Sequence, residues 1–318
     1  MGPLVSVICL CFNHERFLLE ALFSIINQTY SNLEIIIVDD ASTDNSVELL
    51  KEFKLKYPKC QLILNQVNIG NCKSFNKAFE KSKGKYIIDF STDDVLLPNR
   101  IAEQVYAFER LDESYGVIYT DAELIDNSSL HKGFFYKRNR INKIKSPPPS
   151  GYVFTHILRK TFLCPPTLMF KRELLSKLGG YDSTLAYEDF DIWVRSAQEY
   201  QFYFLNKILT KRRIHVDSLS CKQYKPGDKQ LASTVKICRK AKSLIRNKEE
   251  KEALIFRVKS EIKQAFFTEN FKECTNLFLL LKELTHLPMV YKCLYLLNKN
   301  RVRLGVIRRF YYKIYYGK

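Results

Sequence analysis

The chain reads as an α/β protein with a mostly parallel central sheet flanked by helices and a helical C-terminal extension. Three observations predict this. Short β-branched runs alternate with amphipathic segments through about the first 120 residues, carboxylates recur where those runs end, and beyond Pro226-Gly227 the pattern is helical throughout. With 318 residues, 46% hydrophobic and 13% aromatic, the chain can bury a sizeable core, which excludes a disordered protein.

The elements follow in order. Val5 to Cys11 is an apolar run, and Asn13 stands where a cap belongs, ahead of a helix whose apolar face is Phe17, Ala21, Leu22, Ile25 and Ile26. Strand 33–38, helix 46–56, strand 61–64, helix 73–82 closed by Gly84, strand 86–90, helix 99–111 and strand 117–119 repeat the pattern, which is that of βαβ units. Periodicity fails over 122–150, where a basic stretch and Pro147-Pro148-Pro149 read as a mobile loop. A second αβ section, with helices at 174–178 and 191–199, runs to Thr210, and amphipathic segments follow near 229–246, 250–267, 270–284 and 289–298. This predicts a domain over 1–220, with halves 1–115 and 116–220, and a basic helical region over 221–318.

Lys and Arg number 51 against 34 Asp and Glu, a formal charge of +17 that lies mostly beyond about residue 205 and calls for an anionic partner. The nine cysteines form no CxxC pair and no disulfide spacing, which fits buried, reduced thiols in the cytoplasm and argues against zinc. No run of about 18 apolar residues occurs, so neither a membrane span nor an export signal is expected.

Ligands of such sheets bind beyond the carboxyl ends of the strands. Asp39 and Asp40 close one strand, Asp93 and Asp94 follow a second, and Asp121 follows a third; Asp44 suits a helix cap. Carboxylates at Asp93 and Asp94 can hold Mg2+ or Mn2+ against the phosphates of a nucleoside diphosphate, although such a pair also caps helices. Glu188-Asp189 opens a helix, where the dipole favours a carboxylate and a base could take a proton from a hydroxyl; capping beside an Asp191–Arg195 pair fits the same residues. His215, after Arg212 and Arg213, is a candidate metal ligand or a solvated surface residue. Asn68-Ile69-Gly70 is a glycine turn opening a helix, whereas GxGxxG and GxxxxGK[ST] are both missing.

Val5-Ser6-Val7-Ile8 with Phe12-Asn13, Ala21-Leu22 through Gln28-Thr29, and Glu34-Ile35-Ile36-Ile37-Val38-Asp39-Asp40-Ala41-Ser42-Thr43-Asp44 resemble the opening of the family 2 glycosyltransferases. Asn68-Ile69-Gly70, Asn76, Gly84-Lys85-Tyr86-Ile87, Asp93-Asp94 with Pro98, Gly179-Gly180-Tyr181-Asp182 and Glu188-Asp189 continue the family pattern, over roughly 4–220. The resemblance implies a GT-A fold, a nucleotide-sugar donor that is commonly UDP-linked, Mn2+ or Mg2+, and inversion at the anomeric carbon. It further implies donor contacts at Phe12, Asp40, Asn68, Asn76 and Asp93, and metal ligation by Asp93 supported by Asp94 and His215. Asp189 would be the general base, with Glu188 orienting it or the acceptor, and His215 with the arginines before it would face the diphosphate. Two positions depart from the pattern: Ser91-Thr92-Asp93-Asp94 stands where the family often has Asp-x-Asp-Asp, and Leu10-Cys11 replaces small polar residues.

Over 301–318, Leu304, Ile307, Tyr311 and Ile314 fall at helical spacing among Arg301, Arg303, Arg308, Arg309 and Lys313. That suits either an amphipathic helix on an anionic inner membrane face, near a lipid-linked oligosaccharide acceptor, or a helix packed on its own domain. A sugar nucleotidyltransferase would share the acidic site but usually has a glycine-rich loop that residues 9–16 lack; a non-catalytic relative is the other alternative. No nucleic-acid-binding module is present, so nucleic acid is not an expected partner.

Overall fold

The computed structural model describes residues 2–215 and 224–304. They form two compact units, one from Met1–Val153 with Phe162–His215, the other from Phe154–Thr161 with the described residues of Val216–Lys318. The helical unit thus takes a short segment from inside the first 220 residues.

In the first unit β1 (Val5–Cys11), α1 (Glu15–Ile26), β2 (Leu33–Asp39), α2 (Ser46–Lys56), β3 (Gln61–Leu64), α3 (Asn71–Phe79) and β4 (Tyr86–Ser91) alternate as the sequence predicts. β2 and β4 flank β1 in parallel and β3 lies outside β2. All of β1 is buried, as a strand covered on both faces must be, which explains a run that is apolar at every position but Ser6. Along the chain then come β5 (Val95–Leu96), α4 (Arg100–Phe108), β6 (Tyr115–Ile125), β7 (His131–Phe134), α5 (Phe154–Arg159), which belongs to the second unit, β8 (Met169–Lys171), α6 (Arg172–Lys177), α7 (Asp189–Ser196) and β9 (Gln201–Arg213). One nine-stranded sheet has the order β3-β2-β1-β4-β8-β6-β9-β5, with β7 paired to β6. β8 runs antiparallel between β4 and β6, and β9 is parallel to β6.

Three details differ from expectation. Asn13 is not the helix cap: it has φ 58° and its Oδ1 accepts the Thr43 N–H at 2.7 Å. Asp44 does the capping, accepting Glu15 N–H and Ser46 N–H, both at 3.0 Å, while Glu15 Oε2 accepts Asn45 N–H at 2.8 Å. The strand expected at 117–119 continues to Ile125, so Asp121 lies inside it at a register shift rather than at the rim. Its buried carboxylate needs partners and draws in the loop, accepting Tyr136 N–H at 3.1 Å and pairing with Arg138 at 2.5 Å. Residues 122–150 are therefore organised by β7 and a bridge between Arg138 and Ile144.

Two motifs position the strand ends. Gln28 donates to the carbonyls of Ser24 and Leu97 and accepts Ile101 N–H, which fixes the turn after Asp93-Asp94. Glu34 on β2 accepts from Ser6 Oγ and from the backbone of Lys83 and Gly84, locking the entry to β4 against β1.

In the second unit α5 packs with α8 (Lys229–Leu244), α9 (Lys248–Phe267), α10 (Phe271–Leu284) and α11 (Met289–Lys299), whose bounds lie within two residues of the expected segments. Val235, Leu254, Val258, Ile262, Phe266 and Leu277 are buried. Arg257 anchors α5 through the carbonyls of Leu158 and Ile157 and pairs with Glu261 at 3.2 Å. The expected basic aromatic helix lies, from residue 305 onward, outside the described residues, as does Cys221. Among the described residues the cysteines are free, and no helix is long and apolar enough to cross a membrane.

A Cβ at Gly84 would sit 2.4 Å from the Ser6 nitrogen on β1. Gly84→Ala should cost about 1–3 kcal/mol and lower the melting temperature by several degrees, read by thermal circular dichroism; an unchanged midpoint would contradict this close approach.

Candidate active site

The ends of β2 and β4 flank the end of β1, which aligns Cys11 with Asp39 and Leu10 with Ser91. Asp40 N–H donates to Cys11 O at 2.9 Å, and Thr92 N–H to Leu10 O at 3.1 Å. Asp40 and Asp93 are thereby brought to opposite sides of one strand end.

Asp40 is buried. Its Oδ1 accepts Ile69 N–H at 2.9 Å and Asn65 Nδ2 at 3.0 Å, and its Oδ2 accepts Gly70 N–H at 2.8 Å. The carboxylate thus shapes the Asn68-Ile69-Gly70 turn, where Gly70 takes φ 87°, a left-handed conformation that suits glycine. Phe12 is 43% exposed and Asn68 is exposed beside these groups. Asn76 is placed differently: both ends of its amide bond the backbone of Tyr181, Nδ2 to the carbonyl at 2.7 Å and Oδ1 from the N–H at 2.9 Å. It therefore holds the Gly179-Gly180-Tyr181 turn, and Gly180 is needed because a Cβ there would meet Asn76 Oδ1 at 2.6 Å.

Asp93 and His215 meet, Oδ2 to Nε2 at 3.0 Å, although 122 residues apart. Burial by itself would raise the Asp93 carboxyl; the His215 hydrogen bond and the field of His14 outweigh it and hold the group at about 2. His14 itself is lowered by burial and bonds Thr92 Oγ1 through Nδ1 at 2.9 Å. Asp94 departs from the expected ligand set. Its Oδ1 accepts Arg213 N–H at 2.7 Å, and burial with repulsion from Asp93 raises its pKa well above the usual carboxylate range. Arg213 likewise does not face a diphosphate: its buried guanidinium donates to Asp93 O, Asp126 O, Ser129 and Glu20, and lies 4.4 Å over the Phe17 ring. Arg212 points elsewhere and acts electrostatically on Asp94, Cys164 and Asp189.

Glu188 precedes α7 and Asp189 is its first residue, both partly exposed. Asn71, at the start of α3, donates to Glu188 Oε2 at 2.6 Å, which joins this pair to the turn that Asp40 organises. Burial raises Glu188; burial, then Glu188, then Asp89 raise Asp189, with Arg212 opposing. Among the described residues no hydrogen bond reaches the Asp189 carboxylate. Hydrogen bonds thus run from Asp40 to the 65–70 turn and from Asn71 to Glu188, next to Asp189, while Asp93 follows β4 on the other side of β1 from Asp40.

Sequence reading missed Asp89, Asn71, His14 and the buried Arg100. A lone Asp within the run Tyr86-Ile87-Ile88-Asp89-Phe90 was the available signal for the first; the others depend on packing. Arg100 donates to Gln104 and to the carbonyl of Leu168, and burial lowers its pKa to about 9.

Among the described residues no three His, Cys, Asp or Glu side chains form a metal cage. The residues present nevertheless fit an ion shared with a substrate. Asp93 Oδ1 is buried without a hydrogen-bond partner, while Oδ2 is steered by His215. Mg2+-type ions commonly take one or two carboxylates and complete their shell with phosphate and water.

The lowered pKa of Asp93 also predicts a pH effect. Its folded value of about 2 lies below the ordinary 3.8, so the ionised group stabilises the fold above about pH 4, by about 2 kcal/mol, and this is lost as pH falls through 2. The difference in urea midpoint between the native chain and Asp93→Asn should narrow by about half from pH 6 to about pH 3; a constant difference would contradict it.

The profile of glycosyl transferase family 2 matches residues 6–179. An uncharacterized glycosyltransferase of Rickettsia prowazekii is 32% identical over 215 residues, which is 67% of this chain and 65% of the relative. Among solved structures, residues 1–349 of TarS from S. aureus in complex with UDP align with a TM-score of 0.63 at 14% identity, over 86% of this chain and 79% of that one. The mannosyltransferase PcManGT from Pyrobaculum calidifontis, in complex with GDP-Man and Mn2+, aligns with a TM-score of 0.57 at 16% identity, over 98% and 88%. These structural similarities match the central sheet and its flanking helices to the GT-A fold, and the profile over residues 6–179 shows that the chain belongs to glycosyltransferase family 2.

Proposed function

We propose that the chain transfers a sugar, with inversion at the anomeric carbon, from a UDP-sugar to a hydroxyl of a glycan or lipid-linked glycan acceptor in polysaccharide assembly. The observation that carries this reading is the pairing of Asp93, one oxygen steered by His215 and the other buried and unpartnered, with a carboxylate at Asp189 that no described residue bonds. UDP in TarS, and GDP-Man with Mn2+ in PcManGT, support a nucleotide-sugar donor and a divalent ion. A sugar nucleotidyltransferase gains no support, since residues 9–16 contain no glycine.

Asp93 and His215 would hold Mn2+ or Mg2+, and the bound ion would neutralise charge on the departing diphosphate. Asp40 keeps the 65–70 turn in place for the base, with Phe12 and Asn68 as flanking contacts. Asn76 acts at a distance, through Tyr181. The acceptor oxygen attacks the anomeric carbon opposite the diphosphate, its bond to carbon forming as the carbon–phosphate-oxygen bond breaks. Asp189 removes the hydroxyl proton in the same step, and its raised pKa suits a base working near neutral pH. Glu188, fixed by Asn71, orients Asp189 or the acceptor.

Asp189→Asn should lower transfer about 100-fold or more, while UDP binding with Mn2+ stays within about twofold, by radiolabelled transfer and calorimetry. Near-normal turnover would remove Asp189 from the role. The proposal includes peripheral contact of the basic segment 300–318 with an anionic bilayer. Deleting it should abolish co-sedimentation with phosphatidylglycerol liposomes; unchanged binding would reject the contact.

A further inference from the structure

The carboxyl rim of the sheet carries a built feature that the roles above leave unused. From Asn127 to Arg172 the sequence holds no Asp or Glu, and Lys and Arg crowd into the stretch 137–145. The register puts this stretch at the rim. At Glu123–Ile125 one edge of β6 is paired with Lys211–Arg213 of β9, and β7 takes the other edge. That is the edge on which β8 pairs with Val117 and Ile118, nearer the start of β6. Because β8 is antiparallel to both β4 and β6, the carboxyl ends of those two strands point the same way. β7 therefore lies on the β4 side of β6, at the end where β4 runs out toward Asp93.

The chain leaves β7 for a tight arch over 137–145. Lys145 N–H donates to Lys137 O at 2.9 Å, and Asn139 N–H to Lys143 O at 2.8 Å. Inside the arch Asn139 Oδ1 accepts Ile141 N–H at 3.1 Å and Lys143 N–H at 2.9 Å, and Asn142 takes φ 60°, which asparagine tolerates. Arg138 fastens the arch to the sheet. It donates to Asn142 O at 2.8 Å, pairs with the buried Asp121 and lies 4.1 Å over the Phe134 ring. The return is fixed as well, by the Tyr119 hydroxyl donating to Pro149 O and by a bridge between Gly151 and Phe202.

Arg138 serves the fold, but Lys137, Arg140, Lys143 and Lys145 do not. All four are exposed, and among the described residues their side chains have no ion pair or hydrogen bond. Exposed cations elsewhere in this unit find carboxylates, as Lys85 does at Glu109 and Lys207 at Glu103. Like charges held on one short arch repel one another, and a bound anion removes that cost. Position decides which anion. Across the rim the order is β2, β1, β4 and then β6, with Asp40 after β2, Asp93 after β4 and the arch beyond them. A donor with its base near Asp40 and its diphosphate at Asp93 leaves the arch side to the group that attacks opposite the diphosphate.

We propose that the arch docks an acceptor that itself carries negative charge, as phosphate or carboxylate groups along a glycan. This rests on the reading of Asp93 as the diphosphate site, and it narrows the acceptor from any glycan hydroxyl to those of an anionic glycan. Ammonium and guanidinium groups on a fixed backbone take either anion, and their field steers such an acceptor toward the rim. A bilayer is a poorer fit. The arch exposes one large apolar side chain, Ile141, and so lacks the apolar face that a contact with lipid uses.

The test is fluorescence anisotropy on the full chain with labelled oligogalacturonate, labelled oligophosphate and labelled neutral dextran, at low salt and at about 0.15 M. One or both anionic probes should bind and the dextran should not; the probe that binds separates carboxylate from phosphate. Lys137→Gln, Arg140→Gln, Lys143→Gln and Lys145→Gln together should weaken that binding about tenfold at low salt and less at the higher salt. Lys248→Gln, Lys251→Gln, Lys263→Gln and Lys272→Gln remove the same charge from exposed positions of the helical unit, and should change it less than about twofold. UDP with Mn2+ should bind the arch variant as it binds the native chain. Thermal circular dichroism establishes folding; should the fourfold arch variant not fold, the pairs at 137 and 140 and at 143 and 145 should each lose about threefold. The proposal is overturned by failure of both anionic probes to bind, by equal losses in the arch and helical variants, or by weaker UDP binding in the arch variant. Phosphatidylglycerol vesicles held through the arch while the soluble probes are ignored would overturn it too. The reading of Asp93 fails separately, if Asp93→Asn binds UDP with Mn2+ as tightly as the native chain.

Discussion

The exchange between Asp94 and Arg213 is the constraint on which the site depends. Asp94 accepts the Arg213 N–H at 2.7 Å, and Arg213 Nε returns a bond to the Asp93 carbonyl at 2.9 Å. That pair joins the turn after β4 to the end of β9. A buried guanidinium must be fully partnered to be tolerated, and Arg213 meets the demand by gathering Glu20, Asp126 and Ser129 around it. His215, two residues on, is thereby delivered to Asp93. Alternation along β9 sends Arg212 the other way, over the Phe135 ring, from where its charge opposes the rise at Asp189. Consecutive arginines that look alike in sequence thus serve different ends, one binding the fold together and the other setting the field around a carboxylate.

The acidic groups are held in opposite protonation tendencies by their surroundings. Asp93 has an imidazole bonded to it and is kept low, as an ionised oxygen donor must be. Burial, with like charges beside it, pushes Asp189 high, which suits the proposed role of proton acceptor. Titratable groups whose environments drive them apart are the usual basis for a division of chemical roles. Asp40 contributes by geometry, since its bonds to the 65–70 turn carry the order of β2 into α3 and from there, through Asn71, to Glu188.

What could be read in the sequence was whatever depends on local periodicity. The βαβ alternation through β4 and the bounds of α8 to α11 follow from apolar spacing, and Asp39, Asp40 and Asp93 stood out because they end such runs. Asp121 was misplaced because the polar residues after Tyr119 hide a strand that continues to Ile125. Asn76 looked like a contact for a ligand, and its bonds to Tyr181, 105 residues away, could be known only from packing. Arg213 and Asp94 belong to the same class, and so does α5, whose anchor Arg257 lies about a hundred residues further on. Asp89 was visible as an anomaly in an apolar strand, but the Tyr181 hydroxyl that bonds it lies far along the chain.

The most direct test of the central claim is a crystal structure of the chain with UDP and Mn2+, with the metal located by its anomalous scattering. The account requires the manganese to be bonded to Asp93 and His215 and to the pyrophosphate. Manganese bound to the pyrophosphate away from both residues, or UDP seated with no metal at Asp93, would contradict it.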